Sequence, residues 1–239
     1  MDWFSFLVAG VMVYLAVFVF ITGMLYQIYR WLSVPKTNVR LGIFPKPKSK
    51  TARLLKLAKD SFIFPQAFEI DRKMWFFAIL FHFALLAVFI GHLRLIQEFS
   101  FLFNILGNKG VERFAFISGG SMGIILTVAL LYYFSRRFKS PYKDLSVPED
   151  YLLLILLMLV VTMGNHMRFF GDVRVADYRE YVHSLFVFKP AFNLGLSVSL
   201  SKYSLVAHVF FANLLFIYFP FSKLVHAIGT FAANLIRSE

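Results

Sequence analysis

The 239-residue chain contains no cysteine. That absence excludes disulfides, iron–sulfur clusters held by thiolates, and a haem attached covalently through Cys-x-x-Cys-His. Any haem would have to be held non-covalently, as the b type is. Acidic residues are scarce as well: 13 Asp and Glu stand against 25 Lys and Arg, a formal net charge of +12. In a soluble protein such a balance would suggest nucleic acid. Here the basic residues lie between apolar runs, so topology and partner docking account for them and no nucleic acid is expected. No internal repeat, low-complexity tract or soluble domain is evident, so the chain reads as one domain, 1–239. The start, MDWFSFLVAG, lacks the basic region of a cleavable signal and reads as the beginning of a retained helix.

What the chain has in abundance is apolar surface: 59% hydrophobic and 19% aromatic residues, with a mean hydropathy of +0.69. Soluble domains sit nearer 45–50% apolar. The expected class is therefore an all-α integral membrane protein, multi-pass in the cell membrane. Five segments reach the length that crosses a bilayer core: roughly 4–26, 74–96, 114–134, 150–169 and 204–226. Between the first two, residues 27–73 hold 11 Lys and Arg against 3 acids, with Pro35, Pro45, Pro47 and Pro65. Within this basic insertion, TARLLKLAKDSFIF is patterned as a short amphipathic surface helix. Lipid and a soluble partner are both open as its neighbour. The positive-inside rule places 27–73, 136–149 and the C-terminus in the cytoplasm and the N-terminus outside. Loops 97–113 and 170–203 then face outward, the second lying over the membrane face through Phe186, Val187, Phe188, Pro190 and Phe192.

The six histidines organise the rest. His208 and His226 stand near the two ends of the fifth segment, eighteen residues apart. On one continuous helix that is five turns, about 27 Å, with both rings on one face. His82 and His92 stand ten residues apart on the second segment, about 15 Å in rise and about 80° apart in direction. Polar groups in a span are costly and usually functional. Taken singly, each is a polar residue near an interface; taken together, four imidazoles at matched depths on two antiparallel helices supply the axial ligands of two stacked b haems. The pairs are His92–His208 (outer, distal) and His82–His226 (inner, proximal). Gly91 leaves room beside His92, and Arg94 is a counter-charge for a distal propionate. Ser222 is a candidate hydrogen-bond partner for His226. The glycines of ISGGSMGIIL (119, 120, 123) suit either a porphyrin face or close helix packing. His166 and His183 have no depth-matched partner and receive no iron. His166, in GNHMRFFGD, is placed where a quinol would lose protons outward, with Lys109 or Arg113 as its electrostatic partner.

FHFALLAVFIGH, GGSMGIILTVALLYYFSRRFKSP and HVFFANLLFIYFPFSKLVH resemble the di-haem cytochrome b gamma subunit of respiratory nitrate reductases, over helices two to five. That resemblance implies the same four ligands in the same pairs. The basic insertion, LFHFALLAVFIGHLR and NHMRFFGD look like the DsrM-type branch of sulfate-reduction electron-transfer complexes. The branch implies exchange of electrons between menaquinol and a cytoplasmic iron–sulfur subunit of the DsrK/HdrD kind, with further membrane and periplasmic subunits. The alternatives are a nitrate reductase gamma subunit or, in a different class, a haem-free anchor or transporter.

Overall fold

The structure, a computed structural model, describes residues 1–33 and 49–237. All regular secondary structure among the described residues is helical, with five helices long and apolar enough to cross a membrane. The basic residues Lys36, Arg40, Lys46 and Lys48 lie outside the described residues.

The first span, α1 (Trp3–Leu32), starts at an Asp2 cap whose carboxylate accepts from the Ser5 N–H at 2.9 Å. Its second turn, Leu7–Val11, winds as a π-helix. A π turn frees carbonyls from the regular ladder, and in a bilayer each needs another donor. Asn213 donates to Val8 O at 3.0 Å and the Tyr181 hydroxyl to Ala9 O at 2.8 Å. Gly10 lets Pro190 approach; a Cβ there would stand 3.0 Å from the proline ring. Val8, Ala9, Tyr181, Phe192, Leu196, Leu205 and Val206 form the buried cluster around this turn. Phe192 and Pro190 thus turn inward onto α1, while Phe186, Val187 and Phe188 remain exposed. Tyr181→Phe is expected to leave Ala9 O without its donor and to cost roughly 1–3 kcal/mol, read as a lower unfolding midpoint in detergent.

The amphipathic helix expected after residue 50 is α2 (Lys50–Phe62), capped by Ser49 and followed by α3 (Pro65–Ile70). The second span, α4, runs Arg72–His92. Its Trp75 indole donates to Ile63 O at 2.6 Å, tying α2 to the start of the span. The third, α5 (Ser100–Arg136), begins well before the expected residue 114 and is interrupted at Gly107, whose φ of 66° glycine adopts without a Cβ penalty. Most of the expected outer loop 97–113 is therefore helical. Next come the fourth span α6 (Pro148–Phe170), the short helices α7 (Val175–Phe186) and α8 (Leu194–Val198), the fifth span α9 (Ser201–Tyr218), and α10 (His226–Arg237).

The end of the fifth span corrects the sequence expectation. The helix does not run to His226. It closes in a 3-10 turn at Phe219–Phe221, passes through extended Ser222 (φ −111°, ψ 175°), and makes a second 3-10 turn at Lys223–Val225. Pro220 has no N–H to continue the ladder, and Ser222 caps the new turn by accepting from Leu224 N–H at 3.2 Å. The five-turn spacing and common face of His208 and His226 therefore do not hold.

The chain forms two packing units, residues 1–17 with 80–216 and residues 18–79 with 217–239. In the second unit α10 lies against α2, where Asn234 donates to Ser61 at 3.1 Å and Phe62 meets Phe231 edge to face.

Candidate haem-binding site

The candidate site lies in the first unit, where α4, α6 and α9 meet. His92 is the last residue of α4 and His208 sits two turns into α9. Their ring centroids are 6.3 Å apart and their planes within 14° of parallel. His92 Nδ1 lies 2.8 Å from Val88 O, and His208 Nδ1 lies 3.0 Å from Val160 O. A carbonyl only accepts, so both Nδ1 atoms carry the proton and both Nε2 atoms keep their lone pairs. Such second hydrogen bonds fix the tautomer and orientation of ligating imidazoles.

A metal–imidazole bond is about 2.0–2.1 Å, so rings whose centroids are 6.3 Å apart leave room for one metal that both would hold through Nε2. Among the described residues no group of three or more His, Cys, Asp or Glu side chains is placed to chelate a metal. Two imidazoles alone suit a metal that brings the rest of its coordination in a macrocycle. A Cβ on Gly91 would meet nothing within 4 Å, so the space beside His92 is open.

Gly164 was not singled out by sequence, and it lets α6 pass His208: a Cβ there would stand 3.4 Å from the imidazole Cε1. The glycine patch of α5 serves helix packing rather than a porphyrin face. Arg168 lies over Gly119, Phe169 over Gly120 and Asn165 over Gly123. Residues 168 and 169 lie over Gly119 and Gly120, and 165 over the later Gly123, so α5 and α6 run antiparallel. Asn165 fastens them by donating to Thr127 at 2.9 Å and to Gly123 O at 3.2 Å.

Arg94 is buried and already paired. Its guanidinium binds Glu98 at 3.0 and 3.1 Å and Glu112 at 3.0 Å. Arg179 joins Glu98 from α7 and donates to Arg94 O at 3.0 Å. His183 reaches Ile96 O at 2.9 Å, so it anchors the same loop. The two carboxylates, 14 residues apart on either side of a helix start, were missed because nothing local in the sequence links them. His166 is exposed; its Nδ1 lies 2.8 Å from the Ser204 hydroxyl and its ring packs on Phe170. Lys109 and Arg113 are exposed on α5, and no hydrogen bond or ion pair joins either to His166 among the described residues.

The inner residues are each placed within their own unit. His82 is exposed in mid-α4 and meets Phe81 edge to face. His226 opens α10, with Nδ1 2.8 Å from Lys223 O, so that carbonyl rather than Ser222 orients the ring. Ser222 instead donates to Phe219 O at 3.0 Å.

A family model described as nitrate reductase gamma subunit matches residues 66–238. The chain is 31% identical to the Hdr-like menaquinol oxidoreductase cytochrome b-like subunit of Archaeoglobus fulgidus, over 93% of this chain and 76% of that one. Its namesake from Archaeoglobus profundus is 25% identical, over 90% and 74%. The nitrate reductase gamma chain of Bacillus subtilis is 31% identical, over 66% of this chain and 74% of its own. Five membrane-length helices and a family match over most of the sequence make this a multi-pass membrane protein that belongs to the nitrate reductase gamma subunit family.

Proposed function

We propose that the chain is the membrane cytochrome b subunit of a menaquinol-oxidising complex. It would exchange electrons between the menaquinol pool and a cytoplasmic iron–sulfur subunit of the heterodisulfide-reductase-like kind, in anaerobic respiration of the sulfate- or sulfite-reducing type. The observation that carries the reading is the His92–His208 pair, at the spacing of two axial ligands with both Nδ1 protons committed to carbonyls. The names of the two archaeal relatives support the menaquinol side. Bound haem iron would supply one-electron chemistry, with potentials tuned by ligands, hydrogen bonds and burial. His92 and His208 would hold the distal haem and His82 and His226 the proximal one.

The chain's own work is to bind, orient and move protons. His166 Nδ1 lies 2.8 Å from the Ser204 hydroxyl, and in the tautomer that donates from Nδ1 its Nε2 would accept a proton from a quinol hydroxyl. Lys109 and Arg113 would supply positive charge as the headgroup loses its proton. By the charge distribution, the N-terminus and this site lie outside and the basic insertion inside. The exposed Lys50 and Lys59 and their neighbours in 27–73 would meet the iron–sulfur partner.

The direct test is the purified chain's reduced-minus-oxidised visible spectrum with a pyridine haemochrome assay. Two b haems per chain are expected, and a spectrum without a haem band would sink the reading. His166→Ala and Lys109→Ala should slow quinol-driven haem reduction while leaving that spectrum intact.

A further inference from the structure

Beside the face of α6 that packs on His208, two polar side chains offer protons for which no acceptor stands in hydrogen-bond geometry among the described residues. Arg168, on the last turn of α6, is only partly exposed and makes no hydrogen bond or ion pair among the described residues. Tyr178, on α7, has a buried hydroxyl with no partner in hydrogen-bond geometry among the described residues; the neighbouring Ser201 hydroxyl donates to Asp172 instead. The two side chains lie in each other's electrostatic field. A buried donor without an acceptor costs about 1–3 kcal/mol, and a half-buried cation without an anion is costlier still. Neighbouring carboxylates do not answer the need. Glu112 lies within the field of Arg168 but binds Arg94. Glu98 is shared by Arg94 and Arg179, Asp177 is bound by Arg174 and Asn193, and Asp172 by Ser199 and Ser201.

The position is as informative as the vacant bonds. Val160, Gly164 and Arg168 stand on successive turns of α6. The first gives its carbonyl to His208 Nδ1 and the second lies against the His208 ring. The third therefore places its guanidinium side chain one turn, about 6 Å, further along the same side of the helix. Gly119 makes room for it: a Cβ there would stand 3.1 Å from Nη2 and 3.2 Å from Nε. A haem of the b type carries two carboxylates on one edge of its ring. A planar guanidinium is the side chain best shaped to bind a carboxylate.

We propose that Arg168 and Tyr178 bind a carboxylate of the haem held by His92 and His208, and that the Arg168 charge raises that haem's potential. Arg94, which sequence alone favours for this task, is consumed by Glu98 and Glu112 and serves the helix end instead. The proposal rests on the reading of His92 and His208 as haem ligands, and its test separates the two.

The full chain with its bound haem is titrated potentiometrically, beside Arg168→Gln, Arg168→Lys and Tyr178→Phe. Removing the positive charge favours the ferric state. Arg168→Gln should thus shift the ferrous/ferric equilibrium of one haem roughly tenfold toward ferric, about 59 mV lower for a one-electron couple. The haem affected should be the one that His208→Ala removes. Arg168→Lys should keep most of the wild-type potential, and Tyr178→Phe should move it a shorter way in the same direction. Unchanged potentials in Arg168→Gln with full haem content would overturn the proposal and leave the ligand assignment standing. Slowed quinol-driven reduction in that same variant would then assign the guanidinium to the quinol. If Arg168→Gln retains no haem, Arg168→Lys decides: retention with a near-normal potential supports the charge partner, and equal loss overturns it. A wild-type chain that binds no haem would instead refute the underlying reading.

Discussion

Replacing His208 by alanine should halve the haem content of the purified chain and abolish quinol-driven reduction of the haem that remains. The imidazole would be one of two protein ligands to the distal metal, and no other His, Cys, Asp or Glu cluster among the described residues stands in for it. Loss of the side chain also strips Val160 O of its donor, worth roughly 1–3 kcal/mol in a buried setting. His92→Ala should give the same haem count, because the pair would act as one site. His226→Ala should remove the other haem and leave the distal spectrum in place. A pyridine haemochrome assay combined with low-temperature spectra of the α band reads all three variants. Loss of both haems in His208→Ala with the fold retained, or loss of neither, would break the assigned pairing.

The spans were legible because each is a long apolar run, and the closeness of His92 to His208 because the sequence sets them on neighbouring ends of two antiparallel spans. What escaped the sequence was non-local or turned on backbone detail. The second-turn π-helix of α1 depends on Tyr181 and Asn213, which lie 172 and 205 residues from the carbonyls they bind. The end of the fifth span was misplaced because Pro220 allows a kink as readily as a stop. The stop is set by Ser222, whose extended backbone starts a new turn, and Pro220 O is taken instead by Gln27 at 2.7 Å. The glycines of α5 looked like room for a cofactor, yet the volume they vacate is filled by Asn165, Arg168 and Phe169. Arg94 was recognised as a charge beside a ligand. Its two carboxylate partners could not be read, since Glu112 reaches it only after the chain has turned into α5.

That ion network makes the second large prediction. Arg94→Met should destabilise the chain by about 3–5 kcal/mol, because breaking a buried pair leaves charge without compensation. Arg94 is only 6% exposed, and among the described residues its loss leaves Glu98 paired with Arg179 alone. The same change should lower occupancy of the distal haem, since Arg94 fastens the turn that follows His92 to α7. Arg94→Met with Glu98→Gln should lose less than the two single changes together, the signature of coupled neighbours. The network also fixes a pH dependence. Partial burial pushes the Glu98 carboxyl upward, but the bonds from Arg94 and Arg179 outweigh it and hold the group below its ordinary value. A depressed carboxylate adds stability that is complete above the unfolded value of about 4.3 and drains away as pH falls through the folded one. Unfolding midpoints in detergent should therefore drop as the pH is lowered below about 4.3. In Glu98→Gln the drop should be shallower, because one of the titrating carboxylates is gone. Equal acid sensitivity of wild type and Glu98→Gln would show that this cluster contributes nothing to the pH dependence. An unaltered distal haem in Arg94→Met would sever it from the ligand it flanks.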